Sequence, residues 1–252
     1  MPDSSIHLWL TLGELVLAPV TFGVLLFIRA PYGRHYEGGW GPSLPRRIAW
    51  AVMESPACVL FLVFYLLGPS RGEIVPVLFL VSWQSHYVYR AFVFPWRMRG
   101  RDSRVPAFIP GLAVLFNSCN AYINASWVSS AAAFGVEWLG DPRFGIGATL
   151  FGLGLAINLH SDEILLRLRK PGESGYRIPT GGLYRWISCP NYLGEILEWT
   201  GWAIATWSLP GLAFALYTAA NLAPRALDHH RWYREQFDDY PSQRRALLPF
   251  LV

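Results

Sequence analysis

Seven apolar runs, each near the roughly 20 residues that a helix needs to cross the hydrocarbon core of a bilayer, dominate this chain. They fall roughly at 6–29, 47–68, 73–94, 107–129, 144–166, 191–208 and 210–234. A backbone in lipid must satisfy its own hydrogen bonds, which leaves such runs little choice but the helix. Composition points the same way: 15% of the 252 residues are charged, against roughly 25% in soluble domains. The expectation is an all-α integral membrane bundle of seven transmembrane helices. It forms one domain over 1–252, because the connecting loops are short, rich in Gly, Pro and Arg, and no internal repeat is visible. Residues 1–5 carry Asp3 and no Lys or Arg, so the first run reads as a retained span and not as a cleaved secretory signal.

Charge sets the expected orientation, because cytoplasmic loops carry the excess of Lys and Arg. Of the 21 basic residues, only Arg71 and Arg143 follow the second and fourth runs; the rest lie at or near the opposite ends, apart from Arg90 inside a run. This predicts a multi-pass protein with its amino terminus outside and its carboxyl terminus in the cytoplasm, in the inner membrane of a bacterium or the endoplasmic reticulum of a eukaryote. The net charge of +4 then reflects topology and anionic lipid, with no role for nucleic acid. No obligate protein partner is evident. Cys58, Cys119 and Cys189 lie in or beside apolar segments and suggest ordinary packing. Six histidines scattered at 7, 35, 86, 160, 229 and 230 are too few and dispersed for a histidine-rich di-iron centre, so no metal is expected.

The polar residues inside the runs carry the functional signal, since charge in an apolar helix is costly unless it meets a partner, a cavity or a ligand. In the stretch 181–205, Asn191, Glu195 and Glu198 are spaced i, i+4, i+7 and share one helical face. Trp50 and Glu54 are i, i+4 neighbours on the second run, and His86, Tyr87 and Arg90 stand among aromatic residues on the third. The fourth carries Asn117, Asn120 and Asn124, and the fifth ends with Asn158, His160, Asp162 and Glu163 before Arg167, Arg169 and Lys170. Arg225, His229 and Tyr233 share a face of the last. Polar groups from five helices, mostly toward one end, exceed what helix-packing hydrogen bonds require. Glu14 has no assignable role beyond such a bond. The run GIGATLFGLG at 145–154 lacks the third glycine of a dinucleotide fingerprint and lies in an apolar span, so it reads as a close-packing face. On the residues alone, the buried charges suit an ion or solute path as well as an enzyme.

The segment NLHSDEILLRLRKPGESGYRIPTGGLYRWISCPNYLGEILEWTGWA resembles the carboxyl-terminal signature of the steroid 5α-reductase family, the 3-oxo-5α-steroid 4-dehydrogenases. The likeness extends more loosely through YGRH at 32–35, AWAVMESP around Glu54, HYVYRAFVF around Tyr87, and RALDHHRWY followed by FDDYPSQRRALLPF. The resemblance implies a seven-helix membrane reductase that takes hydride from NADPH and saturates the 4,5 double bond of a 3-oxo-4-ene steroid of the testosterone or progesterone type. Position by position it implies Glu54 and Tyr87 as the catalytic pair at the 3-keto oxygen. It implies Asn158, Asp162, Arg169, Tyr176, Arg177, Asn191, Glu195, Arg225, His229 and Tyr233 as the cofactor set, and Trp50, Phe214 and Tyr217 as walls of a lipid-like pocket. Family members often carry Gln directly before the glutamate, where this chain has Met53, a departure that bears on substrate range. Related membrane enzymes that reduce other enone lipids, or that methylate prenylcysteine with S-adenosylmethionine, are the alternatives.

The chemistry suits these residue types. Hydride adds to the β-carbon of an enone only if charge developing on the carbonyl oxygen is stabilised, and donors aimed at that oxygen supply several kcal/mol in a dry site. Tyr87 is a natural donor, and Glu54 as a neutral acid donates as well. Arg169, Lys170, Arg177 and Arg225 suit the phosphates of a cofactor entering from the cytoplasm. Asp162, Glu195 and Glu198 cannot meet phosphates directly, and are expected either to receive hydroxyls and the carboxamide or to brace the arginines. A steroid partitions into lipid and arrives sideways.

Overall fold

The computed structural model describes residues 4–28, 41–98, 103–130, 134–168 and 175–249. Its helices follow the apolar runs closely: α1 (Ser4–Phe27), α2 (Arg46–Leu67), α3 (Ile74–Val88), α4 (Phe94–Arg97), α5 (Phe108–Ser130), α6 (Pro142–Arg167), α7 (Pro190–Thr206) and α8 (Leu209–Gln236). Three of them, over Ser5–Phe27, Arg46–Leu67 and Pro142–Arg167, are long and apolar enough to cross a membrane by length and composition. Elsewhere α3 and α7 are shorter, and α5 and α8 carry several Asn, Asp, His or Arg residues.

Two local departures from a plain bundle have identifiable causes. The third run is not one uninterrupted α-helix: α3 passes into a π-helical turn over Tyr89–Val93 before α4 begins. Pro95 has no N–H to give to the carbonyl of Ala91 four residues back, and its ring crowds that carbonyl, so the preceding turn widens. The backbone N–H of Phe94 reaches Tyr89 instead. The second departure is a short ribbon, in which β1 (Ser43–Pro45) pairs antiparallel with β2 (Arg104–Pro106), Leu44 opposite Val105. Arg104 secures it, donating from Nε to Ser43 Oγ at 2.8 Å and from Nη2 to Ser43 O at 2.6 Å. The ribbon starts α2 and α5 side by side.

The tightest contact is the antiparallel pair α6 and α7. A Cβ on Gly147 would lie 2.3 Å from Ala205 N, and one on Gly201 2.3 Å from Phe151 N. Lower down, a Cβ on Gly154 would lie 2.3 Å from Glu198 N and one on Gly194 2.5 Å from Asn158 N. Backbone therefore meets backbone, the small-residue packing expected for the 145–154 run. Gly145 and Gly152 of the same run face open space.

Beside this seam an aromatic core forms where α2, α3, α7 and α8 meet. Trp83 stacks on Phe61 at 4.3 Å between ring centroids and lies 5.1 Å from Trp199, and Trp199 lies 4.5 Å from Phe214. Indole N–H groups buried here find acceptors: Trp83 Nε1 donates to Ala57 O at 2.9 Å and Trp202 Nε1 to Asn124 Oδ1 at 2.9 Å. The start of α7 is pinned from outside the bundle, with Ser188 N donating to Arg245 O at 2.8 Å and Arg245 N to Trp186 O at 2.9 Å. Cys58 and Cys189 are buried and all three cysteines are free. Glu14 departs from expectation: it is buried on α1, and its Oε1 has no hydrogen-bond partner among the described residues.

Candidate active site

Seven long helical segments surround a cavity of about 680 Å³. One part of its wall is apolar, built from Leu17, Val20, Val24 and Leu25 of α1, Phe108, Ile109, Leu112 and Phe116 of α5, and Phe214 and Tyr217 of α8. Phe116 and Tyr217 stack with centroids 3.9 Å apart, giving this wall a flat aromatic panel. The rest of the lining is polar and comes from distant parts of the sequence: Glu54 from α2, Tyr87 and Arg90 from the third helical segment, Asp162 from α6, Asn191, Tyr192 and Glu195 from α7, and Asn221 and Arg225 from α8.

Arg90 organises the polar part. It lies in the π-helical turn and is buried. Its Nη1 donates to Asp162 Oδ2 at 2.9 Å, and its Nη2 lies 3.5 Å from Glu195 Oε2. The guanidinium carbon is 5.1 Å from the Trp50 ring and 5.0 Å from the Phe94 ring, so aromatic faces cover the cation while two carboxylates hold its donors. Asn191 Nδ2 reaches Asp162 Oδ1 at 3.4 Å, which orients the second oxygen of that carboxylate. Asp162 and Glu195 therefore brace an arginine, Arg90. Arg90 is marked in the sequence as the one basic residue inside an apolar run.

Around Arg225 a second cluster forms at the same end. Its Nη1 donates to Asn221 Oδ1 at 3.0 Å and its Nη2 to Tyr192 OH at 3.2 Å, and Tyr192 OH is 3.0 Å from His229 Nε2. The expected faces of α7 and α8 thus interlock through Tyr192, which carried no pattern of its own. Asn158 lies just behind, buried, donating from Nδ2 to Asn191 O at 2.9 Å; its Oδ1 has no hydrogen-bond partner among the described residues.

Glu54 and Tyr87 both face the cavity, and so do Trp50, Phe214, Tyr217, Asp162, Asn191, Glu195 and Arg225. Asn158 and His229 stand one contact away. Tyr176, Arg177 and Tyr233 do not line it: Tyr176 packs edge-on against Trp232 at 4.8 Å, Arg177 is exposed, and Tyr233 stacks on Tyr240 at 5.3 Å, all beyond the polar end. Arg169 falls outside the described residues. Glu198 parts company with Asn191 and Glu195. It is fully buried two turns deeper, with both carboxylate oxygens 3.0 Å from His86 Nδ1. Helical spacing gave these three residues one face but not one depth.

One cavity thus joins two kinds of lining, an apolar set and a charged, cation-bearing set, and two hydrogen-bonding side chains, Glu54 and Tyr87, are part of it. Among the described residues neither side chain is tied up by a hydrogen bond to the protein.

Comparison with known proteins adds the family. Residues 103–252 match the 3-oxo-5-alpha-steroid 4-dehydrogenase family. The chain is 42% identical over 253 residues to steroid 5-alpha-reductase DET2 of Solanum lycopersicum, covering 99% of this chain and 98% of that protein. It is 42% identical over 247 residues to 3-oxo-5-alpha-steroid 4-dehydrogenase 1 of Bos taurus, covering 95% and 94%. The Homo sapiens protein of the same name is 40% identical over 222 residues, 87% of this chain and 85% of that one.

Proposed function

The chain belongs to the 3-oxo-5-alpha-steroid 4-dehydrogenase family, and we propose on that basis that it reduces the 4,5 double bond of a 3-oxo-4-ene steroid with NADPH, giving the 5α-reduced ketone. The observation that carries this reading is that Glu54 and Tyr87 line one cavity together with an apolar wall and the Asp162–Arg90–Glu195 cluster. Testosterone and progesterone types are the substrates we assign, entering from the lipid phase.

The donor set fits a dinucleotide. Asp162, Glu195 and the buried, unpartnered Oδ1 of Asn158 are acceptors suited to a carboxamide NH2 and to ribose hydroxyls, while Arg225, Arg177 and Arg169 are cations suited to phosphates. His229, Tyr176, Tyr233 and Asn191 complete the set we assign to the cofactor. When bound, NADPH supplies the hydride that C5 receives. Tyr87 and Glu54 donate hydrogen bonds to the 3-keto oxygen and stabilise the enolate charge that grows there as C5 is reduced. A proton added at C4 then restores the ketone. Trp50, Phe214 and Tyr217 hold the ring system flat and keep water from the enolate. Arg90, clamped by two carboxylates, keeps Asp162 and Glu195 at one spacing, so their outward oxygens present a preformed acceptor pair.

We assign seven membrane crossings, amino terminus outside and carboxyl terminus cytoplasmic, because that orientation puts the polar end of the cavity on the side where the cofactor is made available. The enzyme would then reside in the bacterial inner membrane or the eukaryotic endoplasmic reticulum. Purified protein given NADPH and progesterone or testosterone should consume reduced nicotinamide in step with formation of the 5α-dihydro product. Absence of that product with every 3-oxo-4-ene steroid tried would overturn the proposal.

A further inference from the structure

The Tyr87 hydroxyl makes no hydrogen bond among the described residues, so nothing at its tip aims it. Its direction comes from what touches the ring. Three side chains do so: Trp83 at 5.0 Å, Trp199 at 5.6 Å and, edge-on at 73°, His86 at 4.9 Å between centroids. His86 also packs edge-on against Trp199 at 4.9 Å, so the rings that touch Tyr87 brace one another.

These rings differ in how they are anchored. Trp83 is tied to α2 through Ala57 O. His86 is tied to α7 by a buried bond: Nδ1 is 3.0 Å from each oxygen of Glu198, and the two residues are 2% and 0% exposed. With a carboxylate as acceptor, Nδ1 carries the proton, which sets the plane of the imidazole. Neither residue lines the cavity, so neither meets a ligand. A buried polar pair of this kind is no better for stability than apolar groups of the same size. What it adds is direction, because an edge-on imidazole whose Nδ1–H is shared between both oxygens of Glu198 cannot swing away without losing that bond.

We propose that the His86–Glu198 pair positions Tyr87, holding the ring so that its hydroxyl points at the substrate oxygen and coupling that aim to the rigid α6–α7 unit. Both are positioning residues, and the proposal rests on Tyr87 acting as a donor in the reduction proposed above. Misplacement by an ångström costs such a donor much of its effect.

The test is a double-mutant cycle on turnover, run on purified protein with NADPH and progesterone. His86→Ala and Glu198→Gln should each lower kcat about tenfold while KM for NADPH stays within roughly twofold. His86→Asn, whose amide nitrogen can take the place of Nδ1, should recover most of the loss. In a Tyr87→Phe background the same three changes should have almost no further effect, because there is no hydroxyl left to aim. Thermal unfolding and cofactor titration establish that each variant is folded; should His86→Ala fail to fold, the near-isosteric Glu198→Gln and His86→Asn carry the cycle. Equal fold-losses in both backgrounds would overturn the positioning role in favour of general packing, as would unchanged kcat in Glu198→Gln. Wild-type turnover in Tyr87→Phe alone would remove the premise about the donor, and the positioning role would fall with it.

Discussion

The α6–α7 seam and the wall made by α1 serve the same cavity and are packed in opposite ways. The seam is closed backbone to backbone by Gly147, Gly154, Gly194 and Gly201, with no room for a single added carbon. The α1 helix instead packs on α8 and α5, with Thr11, Glu14 and Ala18 buried and large apolar side chains such as Trp9 and Val16 exposed. The seam carries Asp162, Asn191 and Glu195, whose value lies in their mutual spacing. The wall carries leucines and valines, whose value lies only in being apolar. Rigid backbone contact belongs where polar geometry matters, and adaptable side-chain contact where a lipid-like molecule must be received.

Substitutions can break that contrast, beginning with the most severe. Gly154→Val would drive a side chain into the backbone of Gly194 and Glu198, contacts that cannot yield, and should cost about 3 kcal/mol or more; Gly152→Val, facing open space, should leave the melting temperature nearly unchanged. If both variants melt alike, the seam is not the rigid side. Arg90→Met leaves Asp162 and Glu195 without their shared cation and should destabilise the fold by about 3 kcal/mol, read by thermal unfolding. Glu54→Gln and Tyr87→Phe should leave stability and NADPH affinity near wild type while turnover falls about a hundredfold; unaltered rates would remove both from the chemistry.

Smaller effects are expected away from these points. Leu17→Ala on the wall should raise KM for the steroid by roughly fivefold, with the cofactor constants untouched, since one truncated apolar contact is worth about 1 kcal/mol. A change in NADPH affinity instead would mean that the wall is coupled to the polar end. The weakest signal comes from the loop before α6, where Arg143 donates to Asp141 from its backbone N and from two guanidinium nitrogens. These bonds hold the Asp141 carboxyl down from 3.8 to about 2. A lowered carboxyl stabilises the fold fully above its ordinary value, and that contribution is lost as pH falls from 3.8 toward about 2. Asp141→Asn, which keeps a helix-capping oxygen, should lower the melting temperature slightly at pH above 3.8 and remove its fall with pH between 3.8 and about 2.

Much of this was legible because membrane-like sequences leave few choices. The apolar runs at 6–29 and 144–166 became Ser4–Phe27 and Pro142–Arg167, and the glycine run became a helix contact. Glu54 and Tyr87, which the sequence offers on separate runs, line one cavity. The depth of Glu198 was not legible, nor the covering of Arg90 by Trp50 and Phe94, nor the linking of Arg225 to His229 through Tyr192. Each depends on which helix lies opposite, and periodicity within one helix reports a face, not a neighbour.

By itself, then, the order of amino acids determined which segments are helical, which faces carry charge and which family the chain resembles, because backbone self-satisfaction and 3.6-residue periodicity are local properties. Only the tertiary structure decided that Asp162, Arg90 and Glu195 form one cluster, that His86 and Glu198 back Tyr87, and that α1 closes an apolar slot. Those outcomes come from the packing of helices far apart in sequence, where a glycine's missing carbon or a proline's missing N–H sets the height and rotation at which side chains meet.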